Sequence, residues 1–574
     1  MDKDIDLVVY AFDLNFRSQE MDKRNKVFQK LVQNLERDGF TKEDANKIAR
    51  HAIKNDSESE AIGHGLHVKP VNIVNDACTT APLDCNKDSI FRTFDGKCNN
   101  LDNPYWGATS TAYPREIPVD EYYPKSGMVY LDQVEKASNN GNQTRKTDKW
   151  KFCLDRGPLP SPRLVSQVFH TSEDISSSLV THMLTQWGQF LSHDINLTPQ
   201  TNPHGCCQGN SEDDDCFPIF ISDKDIFYHT HFVNCLKFSR SSAYCEENGG
   251  PRQQMNAINS FIDASNVYGS DDETSAKLRS FKDGKLIVDA NNLLPKDKFG
   301  FLLAGDIRAS EMPGLASMHT LFVREHNRLC NLVKAVRLSW NDETIYQNVR
   351  RILIAEYQSI VYGGYLPTVL GSQNMEGLEL SELGSEYNPR LNPTMTNEFA
   401  TAAGRYGHSM VQGLIKLFNT NNSGQFDEYS LSKNYFNDET YRSFMENILM
   451  GLISQPAQAL DKELTKEITN MLFPDPGANY GSDLAARNIQ RGRDHGLPGF
   501  CCYYNLYQDE NHDCSNGWDK RYDGISTKNW NLLQIVYNHP NDIDLYTGAL
   551  AQEPYNGGLG GKVFWTIFSE CLCL

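Results

Sequence analysis

The chain is predicted to be mostly α: a single large helical domain with long loops and very little β. Three observations predict this. Apolar residues recur at helical spacing in one segment after another, strand-like alternation is scarce, and stretches rich in Asn, Pro, Gly and Cys separate the segments. The 574 residues are 39% apolar, 11% aromatic and 22% charged, enough apolar material for a packed core, which excludes general disorder. The balance of 55 Lys and Arg against 74 Asp and Glu gives 55 − 74 = −19. With no long Lys/Arg run, that charge excludes nucleic acid as a partner. No stretch of ~18 apolar residues exists, so no transmembrane helix is expected.

Taken in order, residues 1–75 are polar and charged and read as a leader or propeptide-like segment. Within it Asn25–His51 has helical spacing (Val27, Leu31, Leu35, then Ala45, Ile48, Ala49). Residues 76–574 read as the main domain. Cys78–Asp120 is loop-like, and Leu164–Phe169 is the only apolar run of 120–165. Leu179, Met183, Leu184, Trp187, Phe190 and Leu191 place a helix from Ser177 to His193. A Cys-rich loop, Gly205–Ser242, follows, with the acidic run Glu212–Asp215 as a solvated stretch. Further helices are predicted at 253–261, 312–335, 343–361, 395–419, 438–454 and 460–472. There is no internal repeat and no low-complexity segment.

Fifteen cysteines, ten between Cys78 and Cys330 and five between Cys501 and Cys573, lack zinc-ligand spacing. Closely spaced in loops, they read as disulfides formed in an oxidising compartment. Sequons at Asn55, Asn142, Asn196 and Asn421 point the same way. No signal peptide is visible in Met1–Tyr10, so the true start is expected to lie elsewhere.

Several residues carry chemistry. Gln189 and His193, four apart, share a helix face; a neutral imidazole beside an amide can move a proton between two peroxide oxygens. The same spacing also suits a satisfied core histidine. Arg308, Glu311 and Met312 stand at i, i+3 and i+4. They read either as an ordinary ion pair at a helix start or as a cation that polarises a bound oxygen beside a carboxylate facing a cofactor. In Arg405-Tyr406-Gly407-His408, the glycine lets something large and flat approach the histidine. Asn488 offers an amide that can accept the second N–H of a ligating imidazole. Asn259-Ser-Phe261-Ile-Asp263-Ala-Ser265, with Asp194, offers oxygen ligands suited to Ca²⁺.

Six motifs in order make the sequence recognisable: Gln-Trp-Gly-Gln189-Phe-Leu-Ser-His193-Asp194, Ser-Phe-Ile-Asp-Ala-Ser-Asn-Val-Tyr-Gly269, Ala-Gly-Asp-Ile-Arg308-Ala-Ser-Glu311-Met, Met-His-Thr-Leu-Phe-Val-Arg-Glu-His-Asn-Arg-Leu329, Arg-Tyr-Gly-His408 and Asn488-Ile-Gln-Arg-Gly-Arg-Asp-His-Gly-Leu-Pro498. From about Cys85 to Phe568 the chain resembles the animal haem peroxidase family, most of all its chorion-peroxidase, peroxinectin-type and myeloperoxidase-like members. The resemblance implies a haem peroxidase that reduces H₂O₂ and oxidises phenolic or tyrosyl donors or halides. It implies haem b and Ca²⁺ as cofactors, secretion, and an association with extracellular matrix. His193, Gln189 and Arg308 match the distal residues, His408 the iron ligand, Asn488 its hydrogen-bond partner, and Arg405 a residue at the haem edge. Glu311 matches a carboxylate that esterifies a haem methyl, and Met312 a sulfonium-forming methionine. Asp194, Asn259, the Phe261 carbonyl, Asp263 and Ser265 match the calcium ligands. The resemblance also implies the pairs Cys85–Cys98, Cys206–Cys216 and Cys207–Cys235.

Departures qualify it. Ser192 stands where many members have the Asp of a second ester, so at most one ester is expected, and Asn259 stands where Thr is common. Trp565 replaces a family cysteine. The chain stops at Ser-Glu-Cys-Leu-Cys-Leu574, short of the family's further helices, so a domain truncated at its C-terminus is expected. Two rival readings fit less of the sequence. His193-Asp194 and the reversed Asp494-His495 resemble a metal-phosphohydrolase dyad but leave the other motifs unexplained. A non-catalytic adhesion or matrix protein lacks an Arg-Gly-Asp or Lys-Gly-Asp tripeptide. Gly557–Lys562 fails as a phosphate loop because Val563 follows the lysine.

Overall fold

The computed structural model describes residues 82–117, 159–203, 206–207, 215–244, 252–377, 388–421, 424–507 and 514–572. The predicted leader, with its helix at Asn25–His51, lies outside them. Ten helices organise what is described: α1 (Pro162–Val168), α2 (His182–Ile195), α3 (Pro313–Val336), α4 (Asp342–Ile360), α5 (Asp438–Ser454), α6 (Leu484–Asp494), α7 (Phe500–Leu506), α8 (Thr527–Val536), α9 (Leu545–Ala551) and α10 (Lys562–Leu572). Strands are short: β1 (Thr111–Ala112), β2 (Ser176–Thr181), β3 (Gln253–Asn256), β4 (Leu414–Phe418), β5 (Gln425–Ser430) and β6 (Pro456–Gln458). They pair antiparallel as β1–β3, β2–β6 and β4–β5, with Ile415 opposite Tyr429 in the last. The mostly α expectation holds.

Predicted α3, α4 and α5 form within a residue of their expected bounds, and their ends show why. Pro313 occupies the first turn of α3, where its fixed φ and missing N–H suit a helix start. The Asn341 side chain accepts the Thr344 N–H and caps α4, with Asp342 and Glu343 in its first turn. α3 packs against α2, α4 and α5. Where α2, α3 and α4 meet, Trp187, Phe190, Phe322 and Tyr357 form an aromatic cluster with centroids 5.1–6.1 Å apart. This cluster fixes the rotation of α2 and hence which of its faces looks away from the core.

Four expectations need correction. The helix expected from Ser177 begins at His182. Ser176–Thr181 is a strand because Ser177 Oγ accepts the Leu179 and Val180 N–H groups and β6 supplies a partner, leaving Leu179 77% exposed. The expected helix 253–261 is strand β3 followed by a loop; Asn256 Oδ1 takes the backbone N–H of Leu197 and Ile258, which competes with a helix. The expected helix 395–419 divides into a short helix Asn397–Thr401, a 3₁₀ helix Ala403–Met410 and strand β4, in which Ile415 and Leu417 face inward. Only Lys466–Thr469 of 460–472 is helical, since Lys462 and Glu463 are buried against each other and Thr171.

The disulfides Cys85–Cys98, Cys206–Cys216 and Cys207–Cys235 form as expected. Among the described residues no helix is long and apolar enough to cross a membrane.

Candidate active site

With Trp187 and Phe190 turned into the core, α2 presents Gln186, Gln189 and His193 to a cavity. The turn before α3 adds Arg308, Glu311 and Met312, and the 3₁₀ helix Ala403–Met410 adds Arg405, Gly407 and His408. Seven of the eight residues predicted for this site therefore share one space, and the eighth, Asn488, stands behind His408. A side chain at Gly407 would meet nothing within 4 Å, so this glycine opens onto empty volume beside His408. Ser192 also lines the cavity, with a hydroxyl where a carboxylate was the alternative.

His193 is 7% exposed and its Nδ1 has no hydrogen-bond partner. Burial, reinforced by the charge of Arg308, pushes its pKa well below the ordinary value, so the imidazole is neutral. Arg308 is held by Asp306: Nε and Nη2 donate to the two carboxylate oxygens, each at 2.8 Å, and Nη2 also reaches the Asn196 carbonyl at 3.0 Å. Burial alone would raise the Asp306 carboxyl, but the Arg308 charge and hydrogen bonds overcome it and hold it well below the usual range. Asp306 also stands 3.7 Å from His193 Nδ1. Sequence reasoning missed it; its only signal was a position two residues before Arg308. Gln186 Nε2 donates to Gln189 Oε1 at 2.9 Å, and Gln189 Nε2 to Glu311 Oε2 at 3.4 Å, so an amide relay ends on the carboxylate.

One expected contact is reversed. Asn488 Nδ2, not its oxygen, meets His408 Nδ1 at 2.8 Å, because Arg405 Nη1 donates to Asn488 Oδ1 at 2.9 Å. The amide of Asn196, a sequon residue, accepts the Tyr113 hydroxyl at 2.5 Å, while Asn421 is exposed.

The expected cation ligands also converge. Asp194 turns away from His193 and accepts the N–H groups of Ala264 (3.1 Å) and Ser265 (2.5 Å), and Ser265 Oγ donates to the Asp194 carbonyl at 2.7 Å. Asn259 Nδ2 lies 3.4 Å from both Asp263 oxygens, while its Oδ1 accepts the Phe261 N–H. Burial raises the Asp194 and Asp263 carboxyls, and the charge of Asp263 raises Asp194 further. Two buried carboxylates that repel each other fit a bound cation. The phosphohydrolase reading finds no support: Asp494 is occupied by Arg240, Ser241 and Arg491. Among the described residues no group of three or more His, Cys, Asp or Glu could hold a metal.

Residues 91–572 match the family profile described as animal haem peroxidase. The chain belongs to that family. As an animal haem peroxidase it is 32% identical over 537 residues to thyroid peroxidase of Rattus norvegicus, covering 84% of this chain and 55% of that protein. It is 32% identical over 526 residues to chorion peroxidase of Aedes aegypti, covering 85% and 62%. The chain thus spans little more than half the length of these relatives. Among solved structures it is similar to peroxidase A from Dictyostelium discoideum, with a TM-score of 0.68 and 26% identity over 84% of this chain and 90% of that one. The residues present fit the family's haem: a neutral histidine, a cation and a second histidine line one cavity that Gly407 leaves open.

Proposed function

We propose that the chain is a haem-dependent peroxidase that reduces H₂O₂ and oxidises phenolic or tyrosyl donors or halides. The observation that carries this is the neutral His193 beside the Asp306-held Arg308 in the same cavity as His408. Haem b, when bound, supplies the iron that takes up the oxidising equivalents of peroxide and hands them to donors. His408 is the residue to hold that iron, and Glu311 the carboxylate for a single ester to the haem rim, since Ser192 cannot form a second. Met312, at the start of α3, lines the same rim. Arg405 would pair with the haem edge; so engaged, it would release Asn488 Oδ1 to accept the His408 Nδ1–H, fixing the tautomer that ligates metal.

His193 takes a proton from one peroxide oxygen and returns it to the other. Arg308 and Gln189 hold those oxygens while charge develops. Ca²⁺ is held by Asp194, Asp263, Ser265 and the Phe261 carbonyl, with Asn259 completing the loop. Held there, the ion would pin the C-terminal end of α2 one residue from His193. The three disulfides support an oxidising, extracellular setting, where matrix is the partner class.

The test is an absorbance spectrum of the purified chain with and without H₂O₂, beside His408→Ala. The parent is expected to show a Soret band and turnover; His408→Ala is expected to lose most haem. A normal Soret band and full turnover in that variant would overturn the assignment.

A further inference from the structure

Behind His408, two groups besides the imidazole act on the Asn488 amide. Asn488 lies on α6 and is fully buried. Arg405 donates to its oxygen, so its nitrogen is left to face His408 Nδ1. The other group is Tyr546, in the first turn of α9, which packs against α6. Tyr546 is 2% exposed, and its ring stands against His170 and Phe564, with centroids 5.6 and 6.4 Å away.

Burial raises the Tyr546 hydroxyl well above its ordinary value, and the Asn488 amide and the Arg405 charge draw it back, so the three groups meet. The hydroxyl oxygen is closed to solvent and makes no completed hydrogen bond. Tyr546 and Asn488 share a small cavity with Thr401 and Asp544, which gives the amide and the hydroxyl room to turn. A half turn exchanges the oxygen and the NH₂ of an amide at nearly the same positions. With Nδ1 of His408 turned to Asn488, iron on the other ring nitrogen requires the proton on Nδ1, and the Asn488 oxygen must then face it. The amide NH₂ in turn points away from His408 and needs an acceptor. Arg405 has none to offer, whereas a phenol hydroxyl does.

We infer that Tyr546 is a positioning residue for His408: its hydroxyl accepts the Asn488 Nδ2–H and holds the amide with its oxygen on the His408 Nδ1–H. The orientation of Asn488 is then a competition. Arg405 favours the oxygen turned away from His408, and Tyr546 favours the nitrogen turned away. The inference rests on the haem ligation proposed above, which draws Arg405 to the haem edge, and it names the group that completes the turn of the amide.

The test reads the iron–histidine stretching band of the reduced, haem-loaded chain by resonance Raman. An imidazole that donates from Nδ1 is the more basic ligand. Tyr546→Phe, which keeps the ring, is therefore expected to lower the frequency of the band. It is also expected to lose haem to a scavenging apoglobin about tenfold faster, the lower end of what losing such a partner costs. Tyr546→Trp, whose indole N–H donates but cannot accept, is expected to do the same and serves if the first variant does not fold. Asn488→Asp accepts from His408 with either oxygen, so Tyr546→Phe added to it is expected to leave the band where Asn488→Asp puts it. A parent-like band in folded, haem-loaded Tyr546→Phe overturns the inference. So does an equal fall on the Asn488→Asp background, which would make Tyr546 a packing residue only. A parent chain that takes up no haem overturns the proposed haem ligation itself, and this inference with it.

Discussion

Arg308 depends on one carboxylate for its position. Asp306 grips both guanidinium nitrogens that face it and reaches towards His193 Nδ1 as well, so one side chain orients two groups of the cavity. Asp306→Asn keeps the shape but removes the charge and half of the bidentate grip. A misplaced guanidinium is expected to lower H₂O₂-dependent turnover on the order of 10²-fold. Haem absorbance is expected to stay near the parent value, because none of the altered contacts involves His408. The same change leaves a buried cation without its counter-charge, which destabilises by roughly 3–5 kcal/mol. Thermal unfolding checks the second effect and steady-state kinetics the first. Parent-like turnover in the folded variant would show that Arg308 needs no anchor.

Between elements, close approach is set by glycine. A Cβ on Gly451 of α5 would lie 1.9 Å from the Lys416 carbonyl of β4, a backbone atom that cannot swing aside. Gly451→Ala is therefore expected to destabilise by about 1–3 kcal/mol, the usual effect of overpacking, and urea unfolding measures it. A neutral result would mean that the β4–β5 ribbon moves freely against α5. This contact was invisible in the sequence, where Gly451 was one more residue of a helical run. α3 and α4 were legible because their apolar faces repeat over five turns or more and Pro313 and Asn341 mark their starts. α6 was not: Leu484–Asp494 is rich in Arg, Asn and Gln, and its burial rests on pairs such as Arg491–Asp494 rather than on an apolar stripe. The short helices α7 to α10 have too few turns for periodicity to show. For the site, motif order picked out seven residues of the cavity lining and Asn488 behind them, but Asp306 and the reversed Asn488 amide depend on contacts between segments. No spacing rule encodes those.

Over the whole molecule, buried titratable groups set the pH range of the fold. Burial holds His170, His182, His319 and His326 each down to about 4. An unfolded chain protonates the same residues near 6.5, so below that pH it binds more protons than the folded one and stability falls. Each group contributes a slope of ~1.4 kcal/mol per pH unit, and four together ~5, against a total stability typically of ~5–15 kcal/mol. Glu116 acts in the other direction. Burial, then the charges of Glu398 and Glu570, push it up to about 9, so it stays protonated in the fold while the unfolded chain ionises near 4.5. That stability is lost as pH rises from about 4.5 to 9. Burial also raises the carboxyls of Asp194, Asp263, Glu398, Asp483 and Glu570, so they act with Glu116 and oppose the histidines below 6.5; above 6.5 only the carboxyl limb remains. The melting temperature followed by circular dichroism from pH 4 to 9 is expected to fall as pH rises above 6.5, where the histidines no longer contribute and the raised carboxyls do. Glu116→Gln is expected to lessen the alkaline fall by the share of one group, since the amide still accepts from Thr396. A melting temperature that does not fall above pH 6.5 would mean that the buried carboxyls ionise in the fold and that their burial does not govern its alkaline stability.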